Sequence, residues 1–172
     1  QLADDHHAVG ISASGYLEWG QALWRLGNYD QARIQFEKAL SLVKDEEYHQ
    51  EEADCLRSLG IISFEQGNLD EAEAYYLQAL PICRDIGDVR GEAALLNNLD
   101  LVSWSQANHT QARGYILSAL DIYHNIGYRQ IEGVAYLNLG RLLMQQGEYG
   151  EARTYLDQAT RIAKSLGDRH NE

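Results

Sequence analysis

The chain has 172 residues, of which 45% are hydrophobic, enough for one domain with a core. It contains 23 leucines and 19 alanines but only 5 valines and 3 threonines. This composition indicates a helical domain and excludes a β-rich fold. The net charge of -12 argues against nucleic acid and anionic membrane surfaces as partners, and no apolar run is long enough to span a membrane. With two cysteines and no signal-peptide pattern, a disulfide scaffold is excluded and a cytoplasmic location is expected.

Residues of the same type recur every forty positions, without insertions. The most regular columns hold small residues: Ala32, Ala72, Ala112 and Ala152; Gly20, Gly60 and Gly140, with Asp100 in the third place; and Gly27, Gly67 and Gly147, with Ala107 in the third place. The spacing predicts a single array over residues 1–172, with repeats at about 10–47, 48–87, 88–127 and 128–167. Residues 1–9 align with the end of a preceding repeat or form a cap, and residues 168–172 begin a following helix or form a tail. We therefore expect a segment of a longer protein, the alternative being that the partial repeats are natural caps.

Each repeat is predicted to fold as two amphipathic helices joined by a short turn. In chain order the turns are Gly27–Asp30, Gly67–Asp70, Ala107–Thr110 and Gly147–Gly150. The second helices carry a large apolar residue between two alanines: Phe36, Tyr76, Ile116 and Leu156. Asp30, Asp70 and Thr110 are predicted to cap the second helices, because their side-chain oxygens can accept from free amide groups.

Small, large and aromatic residues follow one order in the second repeat, Leu59-Gly60, Gly67, Leu69, Ala72, Tyr76 and Ala79, and the fourth repeat follows it from Tyr136 to Ala159. The pattern resembles the tetratricopeptide repeat, although the period is forty residues instead of the usual length of about thirty-four. The longer repeat is similar to those of bacterial signalling ATPases and transcription regulators, of spindle-orientation adaptors and of kinesin light chains. This resemblance implies an all-α fold: an α-solenoid, wound as a right-handed superhelix, of about four antiparallel helix-turn-helix units whose first helices line the concave face.

Four large side chains recur every forty residues on the first helices: Trp24, Phe64, Trp104 and Met144. On the concave face that the resemblance implies, such a column would grip an extended peptide or a partner helix. The alternative is that the column packs one repeat against the next. Comparing partner binding with thermal stability in a Trp104→Ala variant distinguishes the two.

Two asparagines and two arginines are further candidates on the same face. Asn98 and Asn138 share a column, and amide side chains can both donate to and accept from a peptide backbone. The spindle adaptors and kinesin light chains that the chain resembles carry asparagine at this place, whereas the alternative is solvated surface asparagine. Arg57 and Arg141 are candidates for holding a ligand carboxylate, although the negative net charge also favours basic partners.

The third repeat departs from the pattern. Asp100 stands where the other repeats have glycine, at the predicted closest approach of the paired helices. A buried carboxylate requires a partner, for which Asn97, Tyr115 or a water molecule are candidates, and Asp100→Gly is predicted to stabilise the array. His109 and Gly114 also depart from the pattern, and neutral drift and a functional kink are both open explanations.

The sequence contains no phosphate-binding loop, no clustered metal ligands and no nucleophile with a matching base. We therefore expect no catalytic, metal-binding or cofactor-binding residues and no cofactor. The sequence predicts a protein-protein interaction module that binds a peptide or partner helix. One alternative is a regulatory or sensor segment of a bacterial signalling ATPase or transcription regulator. Another is a structural spacer or self-association module that forms homo-oligomers through its ends.

Overall fold

A computed structural model describes residues 2–43 and 48–168. Within these ranges it describes the backbone alone for residues 2–9, 11 and 168, which are helical. These residues form eight α-helices and no strand. The helices are α1 (Leu2–Arg25), α2 (Tyr29–Leu42), α3 (His49–Glu65), α4 (Leu69–Asp85), α5 (Val89–Ser105), α6 (His109–Asn125), α7 (Arg129–Gln145) and α8 (Tyr149–Asp168). The prediction of two helices in each forty-residue repeat is confirmed. Residues 44–47, at the end of the first predicted repeat, and 169–172, in the predicted tail, lie outside the described residues.

Consecutive helices pack as pairs, α1 with α2, α3 with α4 and α7 with α8, and α3 also packs on α1 and α2 while α7 packs on α6. The internal contacts divide the chain into two compact units, residues 1–98 and 99–172, with the boundary inside α5. Within the first compact unit, α1 is continuous from Leu2, so residues 2–9 extend the first helix of repeat one.

The first helices end in the same hydrogen-bonded turn. After α1, the N–H of Gly27 donates to the Trp24 carbonyl at 2.9 Å and the N–H of Asn28 to the Leu23 carbonyl at 2.9 Å. This is the Schellman pattern, which requires a left-handed residue at its centre, and Gly27 has a φ of 76°. In the third repeat Ala107 adopts the same conformation with a φ of 58°, which is unfavourable for a residue with a Cβ.

The second helices begin one or two residues earlier than predicted. Their N-cap residues are Asn28, Asn68 and Asn108, of which Asn108 accepts a hydrogen bond from the N–H of Gln111 at 3.4 Å. The prediction of Asp30, Asp70 and Thr110 as caps is therefore wrong. The carbonyl of each turn asparagine already accepts from the N–H four residues on, so the aspartates fall in the first helical turn.

Glycine marks the closest approach of the paired helices. A Cβ added to Gly60 would lie 2.4 Å from the Tyr76 ring, and one added to Gly20 would lie 2.5 Å from the Phe36 ring. Only a residue without a side chain leaves room for these rings, which are themselves buried. The same position in α5 is occupied by Asp100, which is also buried.

Candidate functional site

Two cavities, one in each compact unit, occupy equivalent places in the repeat pattern. The first has a volume of about 330 Å³ and lies between α1, α2 and α3, and the second has a volume of about 230 Å³ and lies between α5, α6 and α7. Five residues that line the second are displaced by eighty positions from five that line the first: Gln21, Trp24, Phe36, Ser58 and Ile61 correspond to Leu101, Trp104, Ile116, Asn138 and Arg141. A cavity at this place is therefore a recurring product of the repeat.

The first cavity combines a tryptophan with two arginines. Trp24 is half-buried and packs against the core of the first compact unit while lining the cavity. Arg25 and Arg57 also line it, and the Arg57 guanidinium donates to Asp54 Oδ1 on the same helix at 2.8 Å. The Ser58 hydroxyl donates to the Asp54 carbonyl at 2.7 Å. Arg57 and Ser58 thus already have partners within α3.

The second cavity contains a buried carboxyl group. Asp100 is 3% exposed, and burial raises its pKa to about 7. Within the described residues the Asp100 carboxyl forms no hydrogen bond or ion pair. Neither of the two candidate side chains, Asn97 and Tyr115, forms a hydrogen bond with this carboxyl group. The Tyr115 hydroxyl instead accepts a hydrogen bond from Gln111 Nε2 at 3.0 Å.

The remaining walls of the second cavity are aromatic, amide and basic. Trp104 is half-buried, and the His109 ring meets it edge-on with the ring centres 5.7 Å apart. Asn138 is half-buried and Arg141 is exposed, both on α7. No described residue forms an ion pair with Arg141. The side chain of Arg141 is therefore available to a ligand at the rim of the cavity.

The structure gathers five of the eight predicted binding residues into these two cavities. Trp24 and Arg57 line the first, and Trp104, Asn138 and Arg141 line the second. The other three line neither: Phe64 and Asn98, which are half-buried, and Met144, which is 49% exposed.

The sequence did not identify Asp100 as a binding residue, although its departure from the glycine column was visible. Asp100 and Trp104 are four residues apart on one helix, which places them on the same face. This spacing is the sequence feature that could have identified Asp100 as a neighbour of Trp104.

Other kinds of site have little support in the described residues. No group of three or more histidine, cysteine, aspartate or glutamate side chains there is arranged to hold a metal ion. The thiols of Cys55 and Cys83 are buried and free, and burial raises their pKa values to about 12 and about 11. Since the thiolate is the reactive form, these cysteines are poor nucleophiles. None of the described helices has both the length and the apolar character needed to cross a membrane.

The sequence matches the family model described as Tetratricopeptide repeat over residues 12–85 and 91–170. No curated protein matches the chain. Several solved structures share the fold. BtubC (BKLC) from P. vanneervenii is 22% identical with a TM-score of 0.86, over 92% of this chain and 66% of that one.

Two further solved structures are similar. The Rap conjugation gene regulator of the plasmid pLS20, in complex with the Phr* peptide, is 24% identical with a TM-score of 0.73, over 92% of this chain and 43% of that one. A signal transduction ATPase with numerous domains and a tetratricopeptide repeat sensor, from Pyrococcus horikoshii, is 20% identical with a TM-score of 0.82, over 94% of this chain and 25% of that one. The chain thus spans between 25% and 66% of the length of these three proteins. At these identities the likeness concerns the fold alone, and it confirms the predicted class, an all-α solenoid of helix-turn-helix repeats.

Proposed function

Because the chain belongs to the tetratricopeptide-repeat family, whose repeats serve generally as protein-interaction modules, we propose that it binds a peptide or a partner helix across its first helices. The two cavities receive side chains of that partner. The observation that carries this proposal is the recurrence, at a spacing of eighty residues, of a cavity lined by tryptophan. Binding of this kind requires no catalytic residue in the chain.

The size and composition of the cavities favour side chains over a free small molecule. Sites for drug-sized ligands occupy about 300–1,000 Å³; the second cavity, at about 230 Å³, is smaller than this range, and the first, at about 330 Å³, lies at its lower end. Tryptophan and arginine are the residues most often responsible for binding energy in protein interfaces, and each cavity has both. Trp24, Trp104, Arg57 and Arg141 are therefore the proposed anchors, with Asn138 bonding to the partner backbone.

Charge and comparison support the same class of partner. With a net charge of -12 the chain favours basic partners over nucleic acid. We propose a cytoplasmic location for this binding. The similar Rap regulator was solved in complex with the Phr* peptide, which shows that a protein of this fold accommodates a peptide.

Alanine variants of the three tryptophans test the proposal. Peptides that bind the chain are selected from a displayed random library, and their affinities are measured by calorimetry. Trp24→Ala and Trp104→Ala should each weaken binding by about tenfold or more, as expected for anchors worth about 1.4 kcal/mol or more. Trp19→Ala is the matched control, since Trp19 also lies on α1 but is 56% exposed and lines neither cavity.

Thermal melts of the same variants separate binding from packing. If Trp24→Ala and Trp104→Ala lower the melting temperature but bind the selected peptides as the wild type does, the tryptophans serve packing between repeats and the proposal is wrong. A library that yields no binder at all also contradicts it.

A second candidate is a regulatory or sensor segment of a larger signalling protein, favoured by the similarity to an ATPase with a tetratricopeptide repeat sensor. In that case the same cavities take a regulatory ligand. Self-association through the ends of the array is a third reading, and light scattering that gives the mass of a dimer for the 19.4 kDa chain would support it.

A further inference from the structure

The second cavity differs from the first at one position that changes its chemistry. Where α1 has Gly20 against the Phe36 ring, α5 has Asp100 and α6 has Ile116. Asp100, in place of glycine, adds a carboxyl group to the lining of the second cavity. Ile116, in place of phenylalanine, lacks the ring that Phe36 places against Gly20 in the first repeat.

The Asp100 carboxyl group lines the cavity and has no partner among the described side chains. Asp100 is 3% exposed and forms no hydrogen bond or ion pair within the described residues. Burial of a charged group is unfavourable unless the charge is paired, and burial raises the pKa of Asp100 to about 7. A cation that enters the cavity would supply the missing partner.

The surroundings of Asp100 suit a cation with a flat or alkyl portion. Trp104 lines the same cavity, and the face of an indole ring attracts a guanidinium or ammonium group. The other charged or titratable groups nearby are His109 and Tyr115 of α6 and Arg141 of α7. His109 contacts Trp104, Tyr115 bonds to Gln111, and Arg141 is exposed, so none of them neutralises Asp100.

We propose that this cavity binds a basic side chain, arginine or lysine, of the partner, with the Asp100 carboxylate as its ion-pair acceptor and the Trp104 ring as its apolar wall. The proposal rests on the peptide-binding function proposed above and specifies the chemistry of one contact. A volume of about 230 Å³, equal to about seven or eight water molecules, fits one side chain. Asn138 and Arg141, at the rim, then bond to carbonyl or carboxylate oxygens of the same peptide.

The first cavity provides an internal comparison. It has Gly20 in place of Asp100, and Arg25 and Arg57 line it. No carboxylate is among the described residues that line the first cavity, so the proposal predicts that a basic side chain binds in the second cavity and not in the first.

The test uses N-acetyl-arginine N-methylamide and its neutral isostere, N-acetyl-citrulline N-methylamide, titrated into the full chain. The indole N–H signals of Trp19, Trp24 and Trp104 are followed by nuclear magnetic resonance. At pH 8 the arginine compound should shift the Trp104 signal in a saturable manner, the Trp24 and Trp19 signals should stay in place, and the citrulline compound should have little effect.

Variants and pH identify the carboxylate. Asp100→Asn, which preserves the shape of the side chain, should weaken binding of the arginine compound at pH 8 by at least tenfold, and Asp54→Asn, which removes the carboxylate that pairs with Arg57 of the first cavity, should not. Since only ionised Asp100 is competent, and its fraction falls from about nine-tenths at pH 8 to about one-tenth at pH 6, the wild type should bind about tenfold more weakly at pH 6.

The outcomes separate this proposal from the broader one. Equal binding of the citrulline compound, unchanged binding by Asp100→Asn, or a shift of Trp24 in place of Trp104 would overturn it. If library peptides bind in a Trp104-dependent manner but the arginine compound does not bind, the peptide-binding proposal is supported and the proposal of a basic side chain in this cavity is wrong. If the arginine compound binds at Trp104 and no library peptide binds, the second cavity accepts a basic group but the peptide-binding proposal is wrong.

Discussion

Replacing Asp100 by asparagine should make the protein more stable at neutral pH, by an amount that depends on pH. The carboxyl group is buried without a partner among the described residues, and its pKa is raised from the ordinary value of 3.8 to about 7. Between pH 4 and pH 7 the folded chain therefore binds more protons at this site than the unfolded chain does. The contribution of Asp100 to stability must fall as pH rises through this interval and stay low above it.

The size of the effect follows from the pKa. A rise from 3.8 to about 7, at about 1.4 kcal/mol per pKa unit, corresponds to at most about 4 kcal/mol at pH 8. Water that enters the open cavity relaxes part of this penalty, so the gain expected for Asp100→Asn at pH 8 is about 2–4 kcal/mol. At pH 4 the folded aspartate is protonated and the unfolded one about half protonated, so the two proteins should differ much less than at pH 8.

Chemical denaturation of the wild type and of Asp100→Asn at several pH values from 4 to 8 measures this difference. Asp157→Asn, an exposed position on α8, is the matched control and should change stability little at any pH. Asp100→Gly, the residue of the other repeats, should also stabilise the chain at pH 8, by less than asparagine does, since glycine is a poor helix residue and leaves space beside Ile116. A difference between Asp100→Asn and the wild type that is the same at pH 4 and pH 8 would refute the reasoning.

Two further predictions concern the glycine columns. Ala107→Gly should raise the free energy of unfolding by about 1 kcal/mol, because Ala107 has a φ of 58°, and the reciprocal Gly147→Ala should lower it by about the same amount. Chemical denaturation measures both, and unchanged midpoints would contradict the role of these turns. Gly60→Ala should destabilise the chain by about 1–3 kcal/mol, because the added Cβ would lie 2.4 Å from the Tyr76 ring. Gly114→Ala, at an exposed helical position with open space around it, should stabilise by about 0.5–1 kcal/mol. Thermal melts should show opposite signs for these two variants, and a common sign would count against the packing described.

The paired helices were predictable because the constraints that produce them are local and repeated. Gly60 must be small where Tyr76 packs, and Gly67 must be left-handed where the turn closes, so both appear as columns in the sequence. The helix starts were predicted less well. Asp30 is a good cap by residue type, but the preceding turn already places Asn28 at the cap position.

The cavities were predictable only in part. Trp24 and Trp104 were recognised from their recurrence, whereas Phe64 and Met144 share their column without lining either cavity. Whether a residue lines a cavity depends on its neighbours on the adjacent helices, which one column of the repeat does not specify. The lack of a partner for Asp100 depends on where the surrounding side chains point, which the repeat pattern does not specify.

A selected peptide added to the chain labelled at its three indole nitrogens tests whether the two tryptophan-lined cavities bind a partner. The signals of Trp24 and Trp104 should shift on binding while that of Trp19, exposed on α1, stays in place. A peptide that binds with full affinity and leaves both the Trp24 and Trp104 signals unchanged would contradict binding in these cavities.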